Sequence, residues 1–149
     1  MKRIFSKKLR RLAVLCCALA VLVGALTGCG GKQKEATPIP ASTNEERLTY
    51  LGELGWQVDP EPVETLAMQL PQNLDGDYSA YLKLQEEQGL PFAQCAGQTA
   101  SRYTYKVNNY PGYDGPVQIN LWVCGGMLAG GDVIAPGENG FTKGLAFPK

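Results

Sequence analysis

The chemistry this chain encodes most clearly lies in Leu26-Thr27-Gly28-Cys29. Behind a basic and then apolar leader, that order predicts transfer of a diacylglycerol group to the Cys29 sulfur and cleavage between Gly28 and Cys29. Lys2, Arg3, Lys7, Lys8, Arg10 and Arg11 precede the apolar run, with no acid among them. Positive charge there holds the N-terminus in the cytoplasm. The run from Leu12 to Leu26 is fifteen residues, short of the roughly 20 a spanning helix needs and within the ~7–15 of a secretory signal core. Gly24, Ala25, Thr27 and Gly28 supply the small residues that a signal peptidase accommodates. The competing readings are an uncleaved anchor and ordinary secretory cleavage after Ala18-Leu19-Ala20. Cys16 and Cys17 sit inside the run as small hydrophobes. Two acyl chains on one sulfur give stable attachment where a single chain gives only reversible binding. The expected location is therefore the outer face of a bacterial membrane, with residues 1–28 a signal peptide.

Other reactive side chains are sparse. The chain has no histidine, which removes Ser-His-Asp and Cys-His catalysis and any His-ligated metal site. Ser101, Thr104 and Thr142 therefore lack a histidine base, and a Ser-Lys dyad with Lys106 or Lys143 has no spacing signature. Cys95 and Cys124 either form a disulfide or remain two separately buried thiols; export would permit the bridge, worth about 3 kcal/mol by loop closure. Asp75 and Asp77, with Asp132 elsewhere, are weak cation ligands: two acids around a glycine do not make a calcium loop, and a turn with a helix cap at Asp77 explains them better. No metal or cofactor is expected. Arg102 and Asp132 are expected to pair across a sheet. Tyr103, Tyr105, Tyr110, Tyr113 and Trp122 could form an aromatic platform; alternation places Tyr103 and Tyr105 in the core and leaves Trp122, Tyr110 and Tyr113 as the expected binding surface.

The elements that must position these groups follow from pattern. Residues 30–42 read as a solvated tether rich in Gly, Pro and Lys. Thr43 and Glu46 have capping-box spacing, opening a helix from Asn44 to Leu54 that Gly55 stops. A strand is expected from Val63 to Leu70, a second helix from about Tyr78 to Gln88, and a loop or single turn from Leu90 to Gly97. Ser101 to Asn109 alternates as a half-buried strand. In the next strand Val117, Ile119, Leu121 and Val123 face one way, and Gln118, Asn120, Trp122 and Cys124 the other. Gly125-Gly126 signals a hairpin, Gly130-Gly131 a bulge or close approach, and Phe141 to Phe147 a last strand. The expected fold is α+β: two helices on one face of a four- to five-stranded antiparallel sheet, in one domain over residues 43–149.

Arg102-Tyr103-Thr104-Tyr105-Lys106-Val107, Asn109-Tyr110-Pro111, Gly130-Gly131-Asp132-Val133 and Gly144-Leu145 resemble a family of bacterial lipoproteins catalogued as domain of unknown function 4830. Tyr50-Leu51-Gly52, Leu54-Gly55-Trp56-Gln57-Val58 and Tyr81-Leu82-Lys83-Leu84-Gln85 fit it too, so the similarity covers about residues 44–148. The resemblance implies export and a lipid anchor, with no assigned activity. Charge narrows the partners without naming one. Six of the fourteen basic residues lie in the leader, leaving eight against fourteen acids after cleavage, which suits solubility and not nucleic acid. The expectation is a non-catalytic module that meets an envelope protein or wall polymer; the alternative is a small-ligand carrier or enzyme with a His-free site near Arg102, Asp132 and the Asn108–Tyr113 loop.

Overall fold

A computed structural model describes residues 37–149; the leader, Gly28 and Cys29 lie outside the described residues. The chain runs α1 (Asn44–Glu53), β1 (Glu64–Gln69), α2 (Ser79–Glu87), β2 (Thr99–Lys106), β3 (Gln118–Cys124), β4 (Met127–Ala135) and β5 (Phe141–Lys143), with 3₁₀ turns at Gly76–Tyr78 and Phe92–Cys95. The five strands pair antiparallel in chain order. This is the expected α+β fold with a C-terminal meander.

Local chemistry sets the first helix. The Thr43 hydroxyl accepts from Glu46 N–H at 3.2 Å, and the Glu46 carboxylate accepts from Thr43 N–H at 2.9 Å, so two otherwise orphaned amides are satisfied. Those hydrogen bonds hold the Glu46 carboxyl below its ordinary range. The second helix lacks such a cap: its N-cap position is Tyr78 and not Asp77, and neither Tyr78 nor Asp75, which precedes the 3₁₀ turn, makes a side-chain cap bond. A turn of 3₁₀ helix over Gly76–Tyr78 feeds α2 directly, with Gly76 at φ +68°, and this replaces the expected Asp77 cap.

Register divides the sheet into two faces. Tyr105, Ile119 and Val133 stand in one row and Tyr103 pairs with Leu121 in the next; this face packs with Leu51 of α1, Trp56 and Leu145. The other face carries Ala100, Trp122 and Ala129, packed with Phe92, Leu74 and, on the α2 side, Tyr81 and Leu82. The two helices therefore serve opposite faces and do not share one as expected. The reason lies in β3, which is buried on both sides: Ile119 and Leu121 point one way, Asn120 and Trp122 the other, and all four are buried. A central strand of that kind needs cover on both faces.

Two devices pair the part of β4 that β5 leaves open. Gln85, 1 % exposed, donates to the Gly131 carbonyl at 3.0 Å and accepts from Gly131 N–H at 2.8 Å. Its amide thus extends the ladder on β4 one step past the end of β5. Gly131 is required there, because a Cβ would stand 2.6 Å from Leu145 Cδ1 and 2.9 Å from the Asn120 carbonyl oxygen. The bulge expected near Gly130-Gly131 sits next to them: Trp122 opposes Gly130 and Val123 opposes Leu128, which leaves Ala129 over. At the N-terminal side, Ala41 N–H donates to the Gly126 carbonyl and Leu128 N–H to the Ile39 carbonyl, and Ala41 is buried. Residues 39–41, expected in the tether, belong to the folded body because the hairpin leaves backbone groups there to pair. The final strand is shorter than expected; beyond Lys143, Leu145 turns into the core and Phe147 packs on Trp56.

Candidate functional site: an aromatic surface on the β2–β3 loop

Tyr110 and Tyr113 lie on the connection between β2 and β3. Two asparagines aim it. Asn109 Oδ1 accepts from Gln57 N–H and Asn109 Nδ2 donates to the Gly55 carbonyl, each at 2.9 Å, while Asn108 N–H donates to the Gln57 carbonyl. These bonds lay the loop against residues 55–57 and so against Trp56. Gly115 lets the loop fold back tightly: a Cβ there would stand 2.5 Å from the Tyr113 ring.

The rings that meet are Trp56, Tyr110, Tyr113, Phe141 and Phe147. Tyr110 stacks on Trp56 at 6.0 Å between centroids and meets Phe141 at 5.0 Å; Tyr113 meets Phe141 edge-on at 5.5 Å. Trp56 is buried and anchored by a 2.7 Å bond from Nε1 to the Leu145 carbonyl, whereas Tyr110, Tyr113 and Phe141 are half-exposed. Lys143 Nζ stands 4.7 Å from the Phe141 centroid and donates to the Tyr110 hydroxyl at 3.1 Å. The result is an apolar surface of mutually packed rings with a cation and two phenols at its margin. Such a surface stacks on flat apolar groups while its polar tips hydrogen-bond.

The other expected site residues are placed elsewhere. Trp122, expected on the binding surface, is core: it is 8 % exposed and meets Phe92 edge-on at 5.6 Å. Sequence alternation put it among polar neighbours, but α2 and the Phe92 turn cover that part of the face. Tyr103 lies under the Arg47 guanidinium at 3.6 Å, and the buried Tyr105 hydroxyl accepts from Arg47 Nε and donates to Asn44 Oδ1. Arg47 itself is 4 % exposed and donates to the Ala41 and Ser42 carbonyls.

Arg102 and Asp132 do not pair. Arg102 bonds Glu64 on the edge strand. Asp132 accepts from Tyr81 at 2.8 Å and from Asn120 Nδ2 at 3.0 Å, and Thr104 donates to Asn120 Oδ1 at 2.7 Å. Thr104, Asn120 and Asp132 make a buried polar row across β2, β3 and β4, on the face opposite the aromatic surface, and the half-buried Tyr81 joins it from α2. Burial raises the Asp132 carboxyl above the usual carboxylate range, against the lowering effect of those hydrogen bonds. Burial and the nearby Asp132 charge raise the Tyr81 phenol. The His-free site that the sequence suggested, joining Arg102, Asp132 and the Asn108–Tyr113 loop, is therefore split between two faces.

Cys95 and Cys124 are unbridged in this structure. Among the described residues no three acids or cysteines converge as a metal site, and no helix is long and apolar enough to cross a membrane. A groove of about 260 Å³ runs between Tyr50, Leu54, Gln88 and Leu145. Sequence reasoning missed Trp56, Phe141 and Lys143 at the aromatic surface; the Phe141-Thr142-Lys143 alternation, which sends the first and third residues to one face, was the signal available. No protein-family model, curated protein or solved structure matches the chain.

Proposed function

We propose that this chain is a lipid-anchored module of the bacterial cell envelope that binds a partner without catalysing a reaction. Cys29 fixes it to the outer face of the membrane, and Tyr110, Tyr113 and Phe141 present the binding surface. The observation that carries the binding role is the half-exposed cluster of rings braced on the buried Trp56. Rings held in place lose little entropy on binding, so their contact area is realised as affinity. The partner is a wall polymer or an envelope protein. The anchor rests on Leu26-Thr27-Gly28-Cys29, and membership of the family catalogued as domain of unknown function 4830 belongs to the same proposal.

The test is sedimentation with purified insoluble wall polymer, together with crosslinking on intact cells, for the full chain and its Tyr110→Ala/Tyr113→Ala variant. Loss of two aromatic anchors costs about 2 kcal/mol or more at a binding surface, so binding should weaken at least ~30-fold. A folded double variant that keeps the wild-type partners and affinity would remove the ring surface from the proposal. The buried Asp132 carboxyl, raised by its surroundings, favours a second reading as a small-ligand carrier or His-free enzyme. A folded Asp132→Asn protein that loses a ligand or turnover would support that reading.

A further inference from the structure

Cys95 ends the second 3₁₀ turn and Cys124 ends β3. Gln98 joins them: its N–H donates to the Cys95 carbonyl at 2.9 Å, and its Oε1 accepts from Cys124 Sγ at 3.5 Å. Cys124 lies directly across from Ala100 in the β2–β3 register, five residues past Cys95 in the chain. Both cysteines pack into the cluster that holds Ala100 and Trp122. Burial first, and then direct interaction with Cys124, push the Cys95 thiol up to about 12. The two differ in access: Cys95 is 3 % exposed and Cys124 is half-exposed.

We infer that Cys95 and Cys124 are a disulfide pair, closed by exchange with a small-molecule disulfide that enters at Cys124. The Cys124 thiolate attacks one sulfur of the oxidant, breaking its S–S bond and releasing one thiolate, which takes up a proton. Cys95 then gives its proton to solvent, attacks the Cys124 sulfur and expels the second thiolate, which is protonated in turn. The two cysteines lose two electrons and the oxidant is reduced to two thiols. The bond clips the Phe92–Cys95 turn to the end of β3, and with it the cover over Trp122. The aromatic surface lies on the opposite face, so the pairing stands or falls independently of the binding role.

Peptide mapping after exposure of the reduced full chain to oxidised glutathione tests the pairing. Remaining thiols are alkylated under denaturing, non-reducing conditions before trypsin is added. Cys95 and Cys124 then lie on separate peptides, 84–102 and 107–143, bounded by Lys83, Arg102, Lys106 and Lys143. The expected product is one species joining the two peptides, absent after reduction, in a protein whose thermal midpoint exceeds that of the reduced form. A Cys95→Ser variant should stop with glutathione on Cys124. In the wild-type chain, glutathione left on Cys124 with Cys95 alkylated would overturn the inference. So would bridging of either residue to Cys16, Cys17 or Cys29, or no reaction at either residue.

Discussion

Replacing Trp122 by alanine separates a core role from a surface role. The indole is 8 % exposed, meets Phe92 at 5.6 Å and shares its cluster with Leu70, Leu74 and Ala129. A buried tryptophan removes about 200 Å² from water, worth about 5 kcal/mol at 25 cal/mol per Å². Measured truncations of this kind cost about 3–5 kcal/mol. Against the 5–15 kcal/mol typical of a domain, that loss takes a large share of the stability. Urea unfolding followed by fluorescence reads it directly, because the chain has only two tryptophans and Trp56 remains as reporter. The midpoint should fall by the equivalent of about 3–5 kcal/mol with an unchanged slope. Binding through the ring surface should persist wherever the variant is folded. A loss under ~1 kcal/mol, or a folded variant that no longer binds, would refute the placement of Trp122 in the core.

Two further substitutions probe the sheet edge and the polar row on the Trp122 face. Gln85→Leu strips the Gly131 N–H of its acceptor, while Gln88 still donates to the Gly131 carbonyl at 3.0 Å. One orphaned amide and one lost bond cost about 2–4 kcal/mol, measurable by the same unfolding titration; an unchanged midpoint would show that the edge is closed by other means. Asp132 gives a pH signature. Its folded carboxyl is raised, so its contribution to stability is fully present below the unfolded value of about 4 and is lost as pH rises through the folded value. The stability difference between wild type and Asp132→Asn should therefore shift against wild type as pH climbs from about 4. A pH-independent difference would contradict the burial cost.

Much of the fold is legible wherever one residue's chemistry decides the local outcome. Thr43 and Glu46 announce a cap that depends on nothing distant, and the alternation of Tyr103, Tyr105 and Val107 fixes which side of β2 faces the core. Gly125-Gly126 marks the hairpin, with φ +58° and +81°. Legibility fails where two distant segments settle a residue's fate together. Trp122 stands between Asn120 and Cys124 on its strand face, and only the arrival of Phe92 and α2 buries it. Gln85 reads as an ordinary helical polar residue until β5 ends one step short and leaves Gly131 open. Arg47 is buried because Tyr103, Tyr105 and two carbonyls converge on it from segments on either side of the cap. At the aromatic surface, Tyr110 and Tyr113 stood out by type, but Trp56 and Phe141 become their neighbours only through Asn109 and the β4–β5 turn.

The anchor at Cys29 is the claim on which the envelope role depends, and intact mass analysis of the protein extracted from membranes tests it most directly. The account predicts a chain that begins at Cys29 and carries the mass of a diacylglycerol on its sulfur, and no membrane-bound product from Cys29→Ala. A membrane-extracted chain that still begins at Met1, or one with an unmodified thiol at Cys29, would contradict it.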